Sequence, residues 1–455
     1  MSGISDSMDR RQFIKVVGAG AALAAFGSCG SKEGTSAKQG DVPADKMTYR
    51  TDPKTGNQVS LLGYGCMRYP RLPKSADLAS ENNLDQEAIN RSIDYAIDHG
   101  VNYFDTSPLY CKGFSEIATG IALSRHPRNK YFIATKMSNR NQHSSREASL
   151  KMYKRSFENL RTDYIDYYLV HNVGSFEALK ERYIDNGIMD FLMEERKAGR
   201  IRSLGWSFHG DGDFFDYMAL KYDWDFVMIQ LNYFDWDIVQ EWRATVNARH
   251  QYELLTKNNI PIIIMEPLLG GRLAMPHYKA RTAMAQANPN ASAASWAFRF
   301  AGSFPNVFTV LSGMTFMEHL QDNIRTYSPL EPLSEHERKM LIEVAQVMLE
   351  HRNINCTTCQ YCMPCPYGLD IPEIFSHYNR SLNEGNFPDN KQSEDYKRAR
   401  KAFLVGLSRK VASMRQANRC TSCKECVPNC PQNIQIPQEM QRIDRFIESL
   451  KRDVV

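Results

Sequence analysis

The sequence has no N-terminal apolar run long enough to cross a bilayer: Val16 to Phe26 falls well short of the roughly 20 residues a spanning helix needs. Charge of one sign is also lacking. Lys and Arg number 56 against 52 Asp and Glu, a net charge of +4, which gives no reason to expect a nucleic-acid partner. No Gly-x-Gly-x-x-Gly follows any predicted strand, which argues against an open doubly wound sheet. Cysteine is sparse over most of the chain. Eight of the 11 cysteines lie beyond residue 355, and that clustering points to metal rather than to disulfides.

What is present begins with Tyr103-Phe104-Asp105-Thr106-Ser107-Pro108-Leu109-Tyr110. An amphipathic run from Glu87 to His99 precedes it, Gly100 stops that run, and Val101 to Phe104 reads as a short buried strand. Asp105 then sits at the C-terminal tip of a parallel strand and Tyr110 on the loop beyond. Strands are predicted at 61–65, 101–105, 131–136, 165–170, 201–207, 226–231, 261–266 and 307–312, with helices between them at 148–160, 188–198, 249–258 and 291–301 among others. Eight strands alternating with helices make an α/β fold, a (β/α)8 TIM barrel over 47–330. Met47 to Val59 reads as a hairpin turning at Lys54-Thr55-Gly56-Asn57 and closing the bottom of the barrel.

Two later strands also end in ionisable residues, Lys136 after 131–135 and His171 after 165–170. In such a barrel the C-terminal rim is where catalytic groups sit. A lysine ammonium beside a phenol favours the phenolate, a carboxylate holds the lysine, and a histidine can orient a carbonyl oxygen. Each residue alone would pass as a cap or a structural hydrogen-bonding group; together they suggest one acid–base site.

At these residues the sequence resembles the aldo-keto reductase family, whose tetrad falls on Asp105, Tyr110, Lys136 and His171. The resemblance covers roughly 47–330 and includes the opening segment Val59 to Arg68. It implies an oxidoreductase acting on a small carbonyl or alcohol substrate, with NADP or NAD as cofactor. It further implies that Ser207 and Gln230 hold the nicotinamide carboxamide and that Gly270 and Gly271 form the pyrophosphate loop. Ser312, Gly313 and Asn323 would lie around the adenosine phosphate. Three departures bear on this. Phe208 stands where the family usually has Asn, Met265 aligns with the usual stacking aromatic, and no Lys or Arg lies between Ser312 and Asn323. The choice between NADP and NAD stays open on that account.

The C-terminal segment, 353–455, carries Cys356-x2-Cys359-x2-Cys362-x2-Cys365-Pro366 and Cys420-x2-Cys423-x2-Cys426-x3-Cys430-Pro431. The repeat extends further, because Leu369-Asp370-Ile371-Pro372 mirrors Ile434-Gln435-Ile436-Pro437. Three thiolates at x2 spacing can wrap one face of a cubane while the fourth, before proline, reaches the other cluster. The expected sets are Cys356, Cys359, Cys362 and Cys430 for one 4Fe-4S cluster, and Cys420, Cys423, Cys426 and Cys365 for a second. The pattern resembles bacterial two-cluster ferredoxins, with an x2 step before Cys365 where x3 is usual; two structural zinc sites are the alternative. Helices expected at 372–382 and 393–415 suggest the all-helical ferredoxin type. From Lys391 to Arg419 nine Lys or Arg face only Glu394 and Asp395, which would offset cluster charge, dock an acidic redox partner, or simply be solvated. Cys66 and Cys111 belong to no pattern.

A helix over 331–352, with Ser334 as N-cap and Glu337 three residues on, links the two domains. At the other end, Arg10-Arg11 before the short apolar run resembles a twin-arginine signal peptide over 1–30. Phe26-Gly27-Ser28-Cys29 resembles a lipoprotein box, so a lipid anchor at Cys29 is one possible membrane link, and 31–46 reads as a flexible tether. The implied protein is exported, periplasmic or anchored at the envelope. Two functions fit: a carbonyl oxidoreductase with Tyr110 as acid–base group and clusters relaying electrons, or an electron-transfer protein whose barrel is a non-catalytic scaffold.

Overall fold

Eight short parallel strands close on themselves in the order β10-β3-β4-β5-β6-β7-β8-β9. They are β3 (Leu62–Gly65), β4 (Tyr103–Asp105), β5 (Phe132–Met137), β6 (Ile165–Val170), β7 (Ile201–Ser207), β8 (Phe226–Gln230), β9 (Ile262–Met265) and β10 (Val307–Ser312). This computed structural model describes residues 42–72, 83–140, 143–210, 212–236, 247–351 and 353–453. The leader at 1–30, with Arg10, Arg11 and Cys29, and most of the tether lie outside the described residues.

Closure is made by β10 against β3, with Val310 opposite Leu62 and Ser312 opposite Tyr64. The strands are buried on both faces, as parallel strands under a helical layer must be, which is why they read as near-continuous apolar runs. The predicted strand positions agree with these to within a residue or two at each end. Inside the lower barrel, Tyr167 packs against Tyr103, Phe226 and Phe308 at ring-centroid distances of 5.1, 5.4 and 5.9 Å. Below it β1 (Tyr49–Thr51) and β2 (Gln58–Ser60) pair antiparallel, and Gly56 takes the positive φ, 75°, that their turn requires.

Helix α1 (Gln86–Asp98) shows how the sequence sets each βα unit. Asp85 accepts a hydrogen bond from the Ala88 N–H at 2.9 Å, capping the start. Ile89, Ile93 and Ala96 form its buried stripe, and Gly100 at φ 86° lets the chain turn into β4.

The chain divides into two compact units. One is the barrel, 42–273 and 294–342. The described part of the other comprises 274–293 and 343–453, so a segment between β9 and β10 belongs with the C-terminal residues. Within that unit the Asn383 side chain donates to the Met275 carbonyl at 2.8 Å, and His277 stacks on His351 at 3.7 Å. Its core gathers Phe375 from the helix Ile371–Asn383, Phe403 from Tyr396–Lys410, and Met440 and Ile447 from Ile436–Arg452. The capping box at Ser334 is formed: Glu337 N–H donates to Ser334 Oγ at 3.2 Å, and Ser334 N–H to the Glu337 carboxylate at 2.8 Å.

Candidate active site and cluster-binding loops

The C-terminal tips of β4, β5 and β6 bring three of the four predicted acid–base residues to one rim, and the loop after β4 brings the fourth. Lys136 Nζ donates to Asp105 Oδ1 at 2.5 Å and to the Thr106 carbonyl at 2.8 Å. The same ammonium lies 5.2 Å from the centre of the Tyr110 ring. The His171 ring meets Tyr110 edge-on at 6.3 Å. Tyr110 opens a tight loop whose next three residues, Cys111, Lys112 and Gly113, all have positive φ, at 51°, 58° and 92°. That left-handed run turns the chain back sharply behind the tyrosine.

Electrostatics follow from burial. Asp105 and Lys136 are both buried, which raises the carboxyl above its ordinary range and draws the ammonium below its own, each against the attraction of the other. Asp105 Oδ2 has no hydrogen-bond partner among the described residues. Burial first, then the charges of Lys136 and Arg140, hold His171 well below the usual imidazole range, so it is neutral at neutral pH.

Sequence reasoning missed the groups that set these residues. Ser138 Oγ lies 2.5 Å from His171 Nδ1 and Ser107 Oγ 2.8 Å from Ser138 Oγ, a buried relay of two hydroxyls to the imidazole. The Arg182 guanidinium donates to the His171 carbonyl at 2.8 Å, and the His171 N–H donates to the Tyr183 hydroxyl at 3.1 Å. His209 was missed as well; burial brings it down to about 4, and Nδ1 is buried with no hydrogen-bond partner among the described residues. The signal was available. Ser107, Ser138 and His209 each lie two residues beyond Asp105, Lys136 and Ser207, and alternation along a strand puts i and i+2 on one face.

The predicted cofactor residues lie at the tips of β7, β8 and β10, in the loop after β9 and, for Asn323, on the helix Met317–Thr326. Ser207 and Gln230 are buried; Ser207 Oγ accepts from the Asn172 N–H at 2.9 Å, and Gln230 Nε2 has no protein partner among the described residues. A buried, unsatisfied amide donor suits a ligand acceptor. Asn323 Nδ2 donates to Ser312 Oγ at 2.9 Å. Gly270 and Gly271 have φ of 68° and 100°, and a side chain on Gly271 would meet nothing within 4 Å, so the backbone there faces open space. A Cβ on Gly313 would come within 3.0 Å of Arg68. Phe208 turns away into an apolar cluster, 5.5 Å from Trp206 and 4.9 Å from Phe215, while Met265 packs on the barrel interior.

In the second unit, Cys356, Cys359, Cys362 and Cys430 line one pocket, walled by Ile371, Phe375, Ile434 and Ile436. Burial and then Cys356, Cys359 and Cys430 push the Cys362 thiol up, so these four sulfurs are close. Cys426 is lifted to about 11 by burial and then by Cys423, Cys420 and Cys365, the other predicted set. Thr358 and Gln360 have φ of 53° and 66°, and their repeat counterparts Ser422 and Lys424 have 62° and 66°. The two loops therefore wind alike, curling around the space their thiols line.

Comparison with known proteins bears on both units. Residues 61–346 match the model of the aldo/keto reductase family, most of the chain. The chain belongs to the aldo/keto reductase family. Residues 355–436 match a 4Fe-4S dicluster domain, so this aldo/keto reductase-type oxidoreductase carries a fused iron–sulfur module. An uncharacterized oxidoreductase of Bacillus subtilis, YqkF, is 30% identical over 302 residues, 62% of this chain and 92% of that one. The L-galactose dehydrogenase of Arabidopsis thaliana is 24% identical, over 68% of this chain and 97% of its own. Among solved structures, the holo form of an aldo-keto reductase from Bacillus halodurans superposes with a TM-score of 0.52 at 22% identity, covering 66% of this chain and 96% of that one. The barrel is thus the family's fold.

Proposed function

We propose that the barrel rim is a working carbonyl-reducing, or alcohol-oxidising, site and that the C-terminal unit holds two 4Fe-4S clusters that would exchange single electrons, two for every hydride moved at the rim. The observation that carries the first half is Lys136 fixed by Asp105 with its ammonium beside the Tyr110 ring. Tyr110 gives a proton to the substrate oxygen in reduction and takes it back in oxidation, and the ammonium stabilises the phenolate left behind. With Ser138 donating to His171 Nδ1, the remaining ring proton sits on Nε2, where it can hold the substrate oxygen. Ser207, Gln230, Gly270, Gly271, Ser312, Gly313 and Asn323 would hold the nicotinamide cofactor, NADP or NAD; bound there, it supplies or accepts hydride.

The convergence of Cys430 with Cys356, Cys359 and Cys362 supports one crossed ligand set, and the Cys365, Cys420, Cys423 and Cys426 set its partner. Zinc sites would be expected to draw each tetrad from one motif. Export through a twin-arginine leader, with an optional lipid anchor at Cys29, fits a protein that acquires clusters before leaving the cytoplasm.

A second reading treats the barrel as a scaffold, and the inward-packed Phe208 and Met265 favour it. Tyr110→Phe separates the two. On the first reading, turnover of a panel of aldehydes and ketones with NADPH or NADH falls by about 10²–10⁴ while cluster absorbance is unchanged. Turnover in the variant equal to that of the unaltered protein would remove Tyr110 as the acid–base group.

A further inference from the structure

We propose that the face over the second cysteine set, Cys365, Cys420, Cys423 and Cys426, docks an acidic one-electron carrier protein, and that the first set is an internal station. This rests on the ligand assignment above.

The two sets differ in exposure. All four cysteines of the first are largely buried, none is exposed, and Ile371, Phe375, Ile434 and Ile436 wall their pocket. The second includes Cys423, which is exposed. A carrier must come close to a cluster to exchange an electron, so the set that reaches the surface is the one a partner can use.

The segments that flank two of its cysteines are tied together. Arg415 donates to the Gly368 carbonyl at 3.2 Å and pairs with Asp370 at 3.3 Å, which fastens the loop after Cys365 to the segment leading into Cys420. Tyr367 and Met414, at 51% and 65% exposure, are the large apolar side chains this leaves in solvent. Arg419 reaches back to Met414 Sδ at 3.4 Å. Lys424 follows Cys423 directly and is exposed. An exposed aromatic and a methionine beside arginine and lysine have the composition of a docking patch.

Charge decides the partner. From Tyr396 to Lys424 the sequence has nine Lys or Arg and no carboxylate. Arg398, Lys410 and Arg415 are paired with Asp395, Glu373 and Asp370, which leaves the exposed Arg419 and Lys424 as the charges beside the second set. Such a field attracts an acidic protein and repels a basic one. In the exchange a cluster held by these cysteines would lose one electron and the carrier's acceptor would gain one, with no bond formed or broken; the reverse transfer is equivalent.

The test uses the full-length holoprotein with an oxidised acidic flavodoxin as probe and a basic cytochrome c as its opposite. Calorimetry should show flavodoxin binding that weakens as salt rises and weakens at least about tenfold in Arg419→Glu/Lys424→Glu. Lys221→Glu, an exposed barrel charge, should leave it unchanged. Flavodoxin reduction by the dithionite-reduced protein should slow in step. Binding insensitive to both salt and the double reversal, or tighter binding of cytochrome c by the unaltered protein, would overturn the proposal. The salt series needs no variant, so a misfolded double mutant does not spoil it. Absence of cluster absorbance in the unaltered protein would sink the ligand assignment separately, since binding is read without it.

Discussion

The barrel rim and the cysteine loops reach chemical order by opposite routes. At the rim, strand ends fix Asp105, Lys136 and Ser207, and the groups already hold one another: lysine to carboxylate, serine to imidazole, arginine to backbone. In the C-terminal unit the thiols sit in loops, with residues at positive φ at Thr358, Gln360, Ser422 and Lys424. Their common partner is a metal centre rather than one another. A site built on strands is preorganised by the fold; one built on loops is completed by what it binds.

The largest effect should come from breaking the buried Lys136–Asp105 pair at the rim. Lys136→Met leaves Asp105 ionised without a partner in the interior and should cost roughly 3–5 kcal/mol of barrel stability, together with turnover. Denaturant unfolding followed by barrel tryptophan fluorescence would measure it, and cluster absorbance should persist in the folded protein. The reverse break is Cys362→Ser. It should remove the cluster of the first set, about half of the visible absorbance, and leave barrel unfolding unchanged. Loss of barrel stability there would show that the two routes are not separate.

The contrast can be sharpened at Gly174. A Cβ there would lie 2.4 Å from the His209 carbonyl and 2.6 Å from Gly210 Cα, where the loops after β6 and β7 touch. Gly174→Ala should push apart the tips that carry His171 and Ser207 and lower kcat/KM by up to about 100-fold, with little change in cluster absorbance. Gln230→Leu is milder. Losing one amide donor should raise the nicotinamide Kd about fivefold to tenfold, read by fluorescence titration.

Acid bears on both units. His209 is held near 4 by burial and then Arg140, and His277 near 3 by burial and then His351. Both lie below the unfolded value of about 6.5, so the unfolded chain binds more protons as the pH drops. The penalty is absent above about pH 6.5, grows below it and levels off near the folded values. At pH 5 each contributes roughly 2 kcal/mol against folding. Thermal scans should show Tm falling from pH 7 to pH 5, and His277→Phe should flatten the fall in the unit that contains it.

Much of this was legible because each signal was local. The run after Gly100 marked β4, and ionisable residues at the ends of β4, β5 and β6 marked the rim. Cysteine spacing marked the loops and predicted the pairing of Cys430 with the first motif. What was not legible needed a partner from elsewhere in the chain. The alternation that put Asp105 at the rim was not followed past the strand end to Ser107, nor from Lys136 to Ser138 or from Ser207 to His209. Nothing local says that Met275 and His277, just before the helix Tyr278–Ala287, meet Asn383 and His351 far along the chain. The positive φ values in the cysteine loops fall on Thr358, Gln360, Ser422 and Lys424, none of them glycine, so no residue type announced them.

The central claim is that the rim and the cysteine loops serve one electron path. An anaerobic visible spectrum of the full-length protein, recorded after NADPH or NADH and again after dithionite, tests it most directly. The account predicts broad cluster absorbance that the nicotinamide bleaches and dithionite bleaches no further. Absorbance that only dithionite bleaches would contradict it, leaving two redox sites on one chain with no path between them.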